Sequence, residues 1–363
     1  MKKILVLLFL FVSLVSGAQD HRFECDDTCN PVETGLTTYN VVSPVGFSTI
    51  EPITMAPRLN TLDGKTIAIV GEDFMYNITH PALKQLIKEN YPTAKVIMYN
   101  ELPIAGPYPA PGIVRQSTEE FRQRLIDLKV DAVIAGNGGC GICTPKETGS
   151  CIVAEKLSIP SVIVTAPGFD EEARYTAHNN GVPVLRVAVY PGAFASHTEE
   201  QLVKNTREVT WPQIVRALTT PISKDEYSAT QTAQGITDDV FHGTLDEIYA
   251  YFQKMGWSDG APFCPPTYNK VKEYLDYTDH AWNETIAVLP AAFRQTTTWH
   301  VAVNACMAGC KPEYMPILIA MTKAMAGGNF RRTLQSTHAW VPYSWLNGPV
   351  ARQLGISSGQ GEI

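Results

Sequence analysis

From residue 65 onward, short β-branched apolar runs alternate with stretches of helical period, the pattern of a parallel sheet joined by crossover helices. Runs at 65–70, 95–99, 130–135, 161–165 and 185–190 predict five strands. Amphipathic stretches at 81–90, 118–128, 147–157 and 171–179 predict the crossover helices, and a further helix is expected over 198–218. The expected fold class is α/β: a flavodoxin-like doubly wound parallel sheet with a second, smaller α+β domain, ligands sitting beyond the carboxyl ends of the strands. Periodicity alone leaves the strand order open.

The stretch 219–239 is rich in Thr, Ser, Asp and Gln and reads as a linker, which places the second domain at 240–363. Helices are expected there at 245–255, 271–275 and 301–325, the last broken near Lys311 by Gly309, Pro312 and Pro316. Beyond Thr333 the apolar runs are short and Gly-rich, so mixed structure is expected. At the other end, Lys2-Lys3, an apolar run over 4–15 and Ser16-Gly17-Ala18 predict a secretory signal over 1–18, cleaved before Gln19, with 19–64 as an N-terminal arm. Neither that run nor any later one approaches the roughly 20 apolar residues of a membrane span. The expectation is a soluble product, secreted or in a secretory-pathway lumen or periplasm, with no membrane partner.

Charge narrows the partners further. With 29 Lys and Arg against 36 Asp and Glu, the 363-residue chain carries a formal −7 and no basic block, which argues against nucleic acid. Export would place its eight cysteines in an oxidising compartment, yet they are too sparse for a disulfide scaffold. Asn77-Ile78-Thr79 and Asn283-Glu284-Thr285 have the form of glycosylation sequons.

The densest chemical feature is Gly136-Asn137-Gly138-Gly139-Cys140-Gly141-Ile142-Cys143-Thr144-Pro145, directly after the third expected strand. Its glycines allow tight turning and close approach to a ligand. Thr144 with Glu147 has the form of a capping box, and Pro145 suits a first helical position. Cys140 and Cys143 then lie at a helix N-terminus, where the dipole lowers a thiol pKa. Cys140 is the expected nucleophile and Cys143 its resolving partner, with Gly138, Gly139, Gly141 and Thr144 around the substrate. An inert disulfide is the competing reading, as is half of a zinc site completed by Cys306 and Cys310 one helical turn apart on one face. The Gly-rich approach favours substrate entry over a closed metal shell, so no metal is assigned. The motif lacks the G-x-G-x-x-G pattern and the chain has no P-loop, so no cofactor is assigned either.

The segment 131–191, with Cys140-Gly141-Ile142-Cys143-Thr144, Ala154-Glu155-Lys156 and Ile159-Pro160-Ser161-Val162, resembles the selenocysteine-bearing substrate subunits of glycine, betaine and D-proline reductases. It is similar, more closely, to the UGSC-type family of cysteine and selenocysteine proteins. Cys140 stands where that family carries selenocysteine, Ile142 replaces its Ser and Cys143 matches its Cys. Trp257-Ser258-Asp259-Gly260-Ala261-Pro262, Pro265-Pro266-Thr267, residues 303–314 and Asn347-Gly348-Pro349 are similar to blocks of the same family's C-terminal region. The resemblance implies a redox-active role, with Asp259, Glu313 and Asn347 near substrate and Cys306 and Cys310 beside the first pair. Two departures stand out. Relatives carry a His beside the Pro that ends the fifth strand, whereas this chain reads Tyr190-Pro191-Gly192-Ala193. His197, the nearest substitute, is expected to be a solvated loop residue. The chain also stops at Ile363, where the resemblance implies a longer second domain.

The leading expectation is a thiol-based oxidoreductase acting on a small-molecule substrate and recycled by an external thiol, with Cys306 and Cys310 relaying electrons or lining the same cleft. The alternatives are a cysteine-dependent lyase, isomerase or racemase, and a non-catalytic secreted binding protein with paired cysteines. Asp259 and Glu313 equally fit backbone-capping carboxylates in turns. Cys25 and Cys29 are expected to pair locally and Cys151 to be a buried small hydrophobe. His178, His300 and His338 show no metal spacing.

Overall fold

The computed structural model describes residues 37–109, 114–227, 235–290, 292–327, 330, 344 and 346–356. The expected signal segment, Cys25, Cys29 and His338 lie outside them. Two compact units divide the chain, Met1–Thr38 and Tyr39–Ile363; the architecture below is that of the second, with its first strand starting at the boundary.

The residues expected to form an arm contribute β1 (Thr38–Val42) and β2 (Phe47–Ser48). The chain then runs β3 (Thr66–Val70), α1 (Tyr76–Asn90), β4 (Lys95–Ile97), α2 (Gln116–Asp127), β5 (Ala132–Gly138), α3 (Cys143–Lys156), β6 (Ser161–Thr165), α4 (Asp170–His178) and β7 (Val187–Val189). α5 (Glu199–Asn205), a π turn at Thr206–Thr210 and α6 (Trp211–Thr219) fill the expected helix, and α7 (Lys224–Tyr227) follows. The five strands pair in parallel in the order β4-β3-β5-β6-β7. In chain order this is the flavodoxin-like 2-1-3-4-5 arrangement, whose topological switch point lies between β3 and β5.

Alternate residues of these strands feed two cores, because both faces of the sheet are covered. Ala68, Val70, Val133, Ala135 and Ile163 pack with Phe121, Leu125 and the Cys151–Ala154 turn of α3. Ile67, Ile69, Ile134, Val162 and Val164 pack with Leu83, Leu86 and Ile87 of α1 and with Trp211, Ile214 and Leu218 of α6. Cys151 is fully buried in the first of these, as a small apolar residue would be.

Boundaries shift where local chemistry outweighs pattern. α1 starts at Tyr76, not at Pro81, which sits inside it. The carbonyl that Pro81 leaves without a donor is that of exposed Asn77 in the first turn, where water can serve it. β5 continues through Gly136-Asn137-Gly138, and its register against β6 slips between Ala135 and Gly138. α3 begins at Cys143, two residues before the Pro145 start read from the motif and four before the amphipathic stretch at 147–157.

In the second part β8 (Asp239–Thr244) pairs with β1, and α8 (Leu245–Lys254) starts at a Thr244/Glu247 capping box. α9 (Tyr268–Leu275), β9 (Thr285–Leu289), β10 (Arg294–Thr297), α10 (Thr298–Met307), α11 (Met315–Met325) and α12 (Val350–Gln353) follow among the described residues. β10 lies between β2 and β9 in an antiparallel sheet. α10 ends at Gly309 (φ 68), where the Gly309 N–H donates to Cys306 O and the Cys310 N–H to Ala305 O. This is a Schellman stop that needs glycine's left-handed backbone. No helix among the described residues is long and apolar enough to cross a membrane.

Residues 53–59 hold to the helices and loops that flank the parallel sheet by both backbone and charge. The Ile53 N–H donates to Gly181 O at 2.8 Å and the Leu59 N–H to Leu218 O at 2.9 Å. Between them, Arg58 donates to Glu155 Oε1 at 2.9 Å with both side chains at most 1% exposed. The same carboxylate accepts from the Ser161 N–H (2.8 Å), the Ser161 hydroxyl (2.9 Å) and the Ala56 N–H (3.2 Å). Removing one member of such a buried pair strands the other. Glu155→Ala is therefore expected to lower unfolding free energy by about 3–5 kcal/mol, and Glu155→Gln by less, in urea titrations followed by circular dichroism. A loss of under ~1 kcal/mol for the alanine variant, the scale of an exposed pair, would show that this contact does not hold the segment.

Candidate functional site

The carboxyl ends of β3 and β5 meet at the switch point. Gly71 has φ 108, and a Cβ there would run into the Gly136 carbonyl and the Glu147 carboxyl. Asn137, 1% exposed, spans the crevice, its Nδ2 donating to Phe74 O at 2.7 Å and to Thr79 Oγ1 at 2.9 Å. Beside Thr79 lies His80, whose burial outweighs backbone contacts from Gly71, Gly136 and Val70 and pushes its pKa down to about 4, so its ring is neutral.

Cys140 precedes α3 and Cys143 opens it, in a way the expected capping box does not describe. Thr144 lies inside the helix, fully buried, with no partner for Oγ1. Cys140 supplies the cap instead. Its carbonyl accepts the Thr144 N–H at 3.0 Å and its Sγ accepts the Cys143 N–H at 3.0 Å. Cys143 Sγ accepts the Gly139 N–H at 3.4 Å and donates to Cys140 O at 3.3 Å. Burial pushes the Cys143 thiol up to about 12, the adjacent Cys140 adds to the rise, and Asp73 is near enough to contribute. Cys140 is half-buried and Cys143 buried, both free thiols.

Glu147, read from the sequence as a cap partner, is instead an acid in the crevice. Lys146 Nζ is 2.6 Å from Asp73 Oδ2 and 3.2 Å from Glu147 Oε1. Burial raises the Glu147 pKa to about 8, Asp73 reinforces the rise and Lys146 opposes it. Burial would lower Lys146, but the two carboxyls more than offset it and hold the ammonium above its usual range. A crevice of about 300 Å³, counting its open mouth, is lined by Gly71, Glu72, Lys146, Glu147 and Ser150. Asn137 Oδ1, Thr144 Oγ1 and Thr165 Oγ1 are buried without hydrogen-bond partners. Thr165 pairs in register with Gly138, and a Cβ on Gly138 would lie 3.0 Å from Thr144 Oγ1, so two of these oxygens flank the same backbone. Polar groups left this way suit a polar ligand or ordered water.

Aromatic rings pack against the Gly139 backbone. A Cβ on Gly139 would touch Phe74 at 3.3 Å and Phe194 at 3.7 Å, and Phe194 stacks on Tyr190 with ring centroids 4.4 Å apart. His197 is not a free solvated residue. Its Nδ1 lies 2.7 Å from the hydroxyl of buried Tyr190, to which Asn205 donates at 3.0 Å.

The structure thus gathers Cys140, Cys143, Gly138, Gly139, Gly141 and Thr144 at one strand end, and adds Asp73, Asn137, Lys146 and Glu147, to which the sequence reading gave no chemical role. Their signal was position: Asp73 follows the first strand as the cysteine loop follows the third, and strand carboxyl ends carry such sites. The remaining candidates belong to the second part. Cys306 and Cys310 do not share a helix face, since Cys310 follows the Gly309 stop. Cys306 is buried against Cys264, while Cys310 lines a separate cavity of about 1320 Å³, counting its open mouth, with Arg294, His300 and Asn304. Asp259 Oδ1 caps the Ala261 N–H at 2.9 Å, and Glu313 and Asn347 are exposed. His300 closes the first turn of α10 by accepting the Thr297 N–H at 3.2 Å. Among the described residues no group of three or more His, Cys, Asp or Glu is arranged to hold a metal ion.

The raised Glu147 pKa has a stability consequence. The folded chain keeps this proton where the unfolded chain, near 4.5, releases it, so the contribution is complete below pH 4.5 and is lost as pH rises through about 8. Between pH 5 and 9, the wild-type urea midpoint is expected to fall more than that of Glu147→Gln, and parallel profiles would place the titration elsewhere. No curated protein and no solved structure matches the chain. The span that carries the parallel sheet, the Cys140 loop and the acid–base groups around it is matched by a family model: residues 40–220 match the UGSC family.

Proposed function

We propose that the protein is a thiol-based oxidoreductase that reduces a small-molecule disulfide at the β3/β5 switch point, working in a secreted or lumenal compartment. The observation that carries this reading is the unequal cysteine pair. Cys140 Sγ is half-buried and accepts the Cys143 N–H, while Cys143 is buried and held protonated. In the first step the Cys140 thiolate attacks one substrate sulfur; the S–S bond breaks and the departing thiolate takes a proton. Cys143 then gives up its proton and displaces the second substrate thiolate, closing a Cys140–Cys143 disulfide. Two electrons and two protons have passed to the substrate, and an external thiol returns them. Asp73, near enough to act on Cys143, and the Lys146 and Glu147 that it joins are the acid–base groups proposed to receive and deliver those protons. The likeness to UGSC-type proteins supports the assignment, because Cys140 stands where some of them carry selenocysteine, the more nucleophilic residue.

The same acid–base cluster favours one competing reading, a lyase or isomerase in which the thiols shuttle protons without net redox. Turnover that survives Cys143→Ser under reducing conditions would establish it. For the oxidoreductase, Cys143→Ser is expected to trap a mixed disulfide on Cys140, and Cys140→Ser to abolish covalent labelling, in intact-mass spectra after incubation with cystine or oxidised glutathione. An adduct on Cys143 in the Cys140→Ser protein, with none on Cys140 in the other, would reverse the roles.

A further inference from the structure

The described cysteines outside the switch point are Cys151, Cys264, Cys306 and Cys310. Cys151 is walled into the sheet core, and Cys310 faces its cavity past the end of α10. Cys264 and Cys306 face each other. Their sulfurs are 3.8 Å apart, although 41 residues of chain separate them. The backbone fixes this approach, because the Cys264 N–H donates to Met307 O at 3.2 Å and so ties the segment before α9 to the last turn of α10. Cys306 is fully buried and Cys264 half-buried, and the Lys270 ammonium lies close enough to both for their charges to interact.

We propose that Cys264 and Cys306 form a second dithiol centre, which exchanges with low-molecular-weight disulfides and closes into an intramolecular disulfide independently of Cys140 and Cys143. Exposure assigns the roles. Cys264 is the sulfur an incoming disulfide reaches, and its thiolate breaks the S–S bond of the reagent, keeping one half and releasing the other as a thiol. Cys306, beyond the reagent's reach, then loses its proton and displaces the retained half. One S–S bond forms in the protein and one breaks in the reagent, and two thiols of the reagent take the two protons. Burial, reinforced by the neighbouring Cys264, pushes the Cys306 thiol up to about 12, which suits a residue that reacts only when a mixed disulfide is presented to it. With the sulfurs already in contact and the backbones tied, side-chain rotation can bring them to the roughly 2.05 Å of a disulfide. The closed bond would lock the 257–267 segment onto α10 beside Cys310, whose carbonyl accepts the Tyr274 hydroxyl at 2.5 Å. This inference does not depend on the proposed reaction at Cys140.

The test separates the two centres. A Cys140→Ser/Cys143→Ser protein, reduced and freed of reductant, is incubated with oxidised glutathione, quenched with N-ethylmaleimide, digested and analysed by mass spectrometry, with the wild type treated in parallel. Both are expected to yield a linked peptide pair containing Cys264 and Cys306, two hydrogens lighter than the free thiols, while Cys310 is alkylated. Cys306→Ser in the same background is expected to leave glutathione on Cys264, and Cys264→Ser to leave Cys306 unmodified by glutathione. Recovery of Cys264 and Cys306 as alkylated thiols in the wild type, or a link from Cys306 to Cys310, would overturn the proposal.

Discussion

The approach of β3 to β5 at Gly71 and Gly136 is the constraint on which the site depends. At Gly71 a side chain is excluded twice: the backbone sits at φ 108, and any Cβ would meet the Gly136 carbonyl and the Glu147 carboxyl. With both positions bare, the two strand ends come close enough for the Asn137 amide to bond across to Phe74 and Thr79. That in turn fixes Asp73 over the first turn of α3, where Lys146 pairs with it. A larger residue at 71 would push Glu147 out of the crevice and separate the acid–base groups from the thiols.

The two cysteines share one helix start and come out chemically different because each fills a different half of the same hydrogen-bonded turn. Cys140 provides acceptors, its carbonyl to Thr144 N–H and its sulfur to Cys143 N–H. Both donors belong to the unsatisfied set at a helix N-terminus, and such donors stabilise negative charge. Cys143 is the first residue of α3, buried, its thiol directed at the Cys140 carbonyl. Proximity to the dipole therefore does not by itself make a thiol reactive; desolvation outweighs it at Cys143.

Much of the architecture is legible in the alternation of apolar runs and helical periods. All five parallel strands and their crossovers lie where the pattern places them, because a sheet covered on both faces writes near-continuous apolar runs into the chain. The misreadings fall where one residue type serves several purposes. Gly136-Asn137-Gly138 looks like a loop by composition, yet it continues β5, with the strand register adjusting around it. Thr144 and Glu147 have the spacing of a capping box, but one is a buried hydroxyl and the other a buried acid. Spacing cannot tell a reciprocal cap from two buried polar groups. The strands β1, β2, β8, β9 and β10 are short or carry mixed polarity, and their pairing depends on partners distant in sequence, as with β2 on β10. The facing of Cys264 and Cys306 is likewise a tertiary fact, since nothing local to either residue announces it.

The cluster beside the thiols also carries an internal charge balance. At neutral pH Glu147 holds its proton, its pKa being about 8, so within this trio the Asp73 carboxylate and the Lys146 ammonium compensate one another. Removing the Glu147 proton would leave two carboxylates of the trio against one ammonium, with Glu72 lining the same crevice. Asp73 already disfavours charge on Cys143, and a second carboxylate would add to that opposition. For the thiol exchange proposed at Cys140, a protonated acid here would spare the sulfur a second neighbouring negative charge and would hold a proton for a departing thiolate, and both depend on the carboxyl being buried. Desolvation is what supplies both, and Gly71 is what admits the carboxyl to the position where desolvation acts.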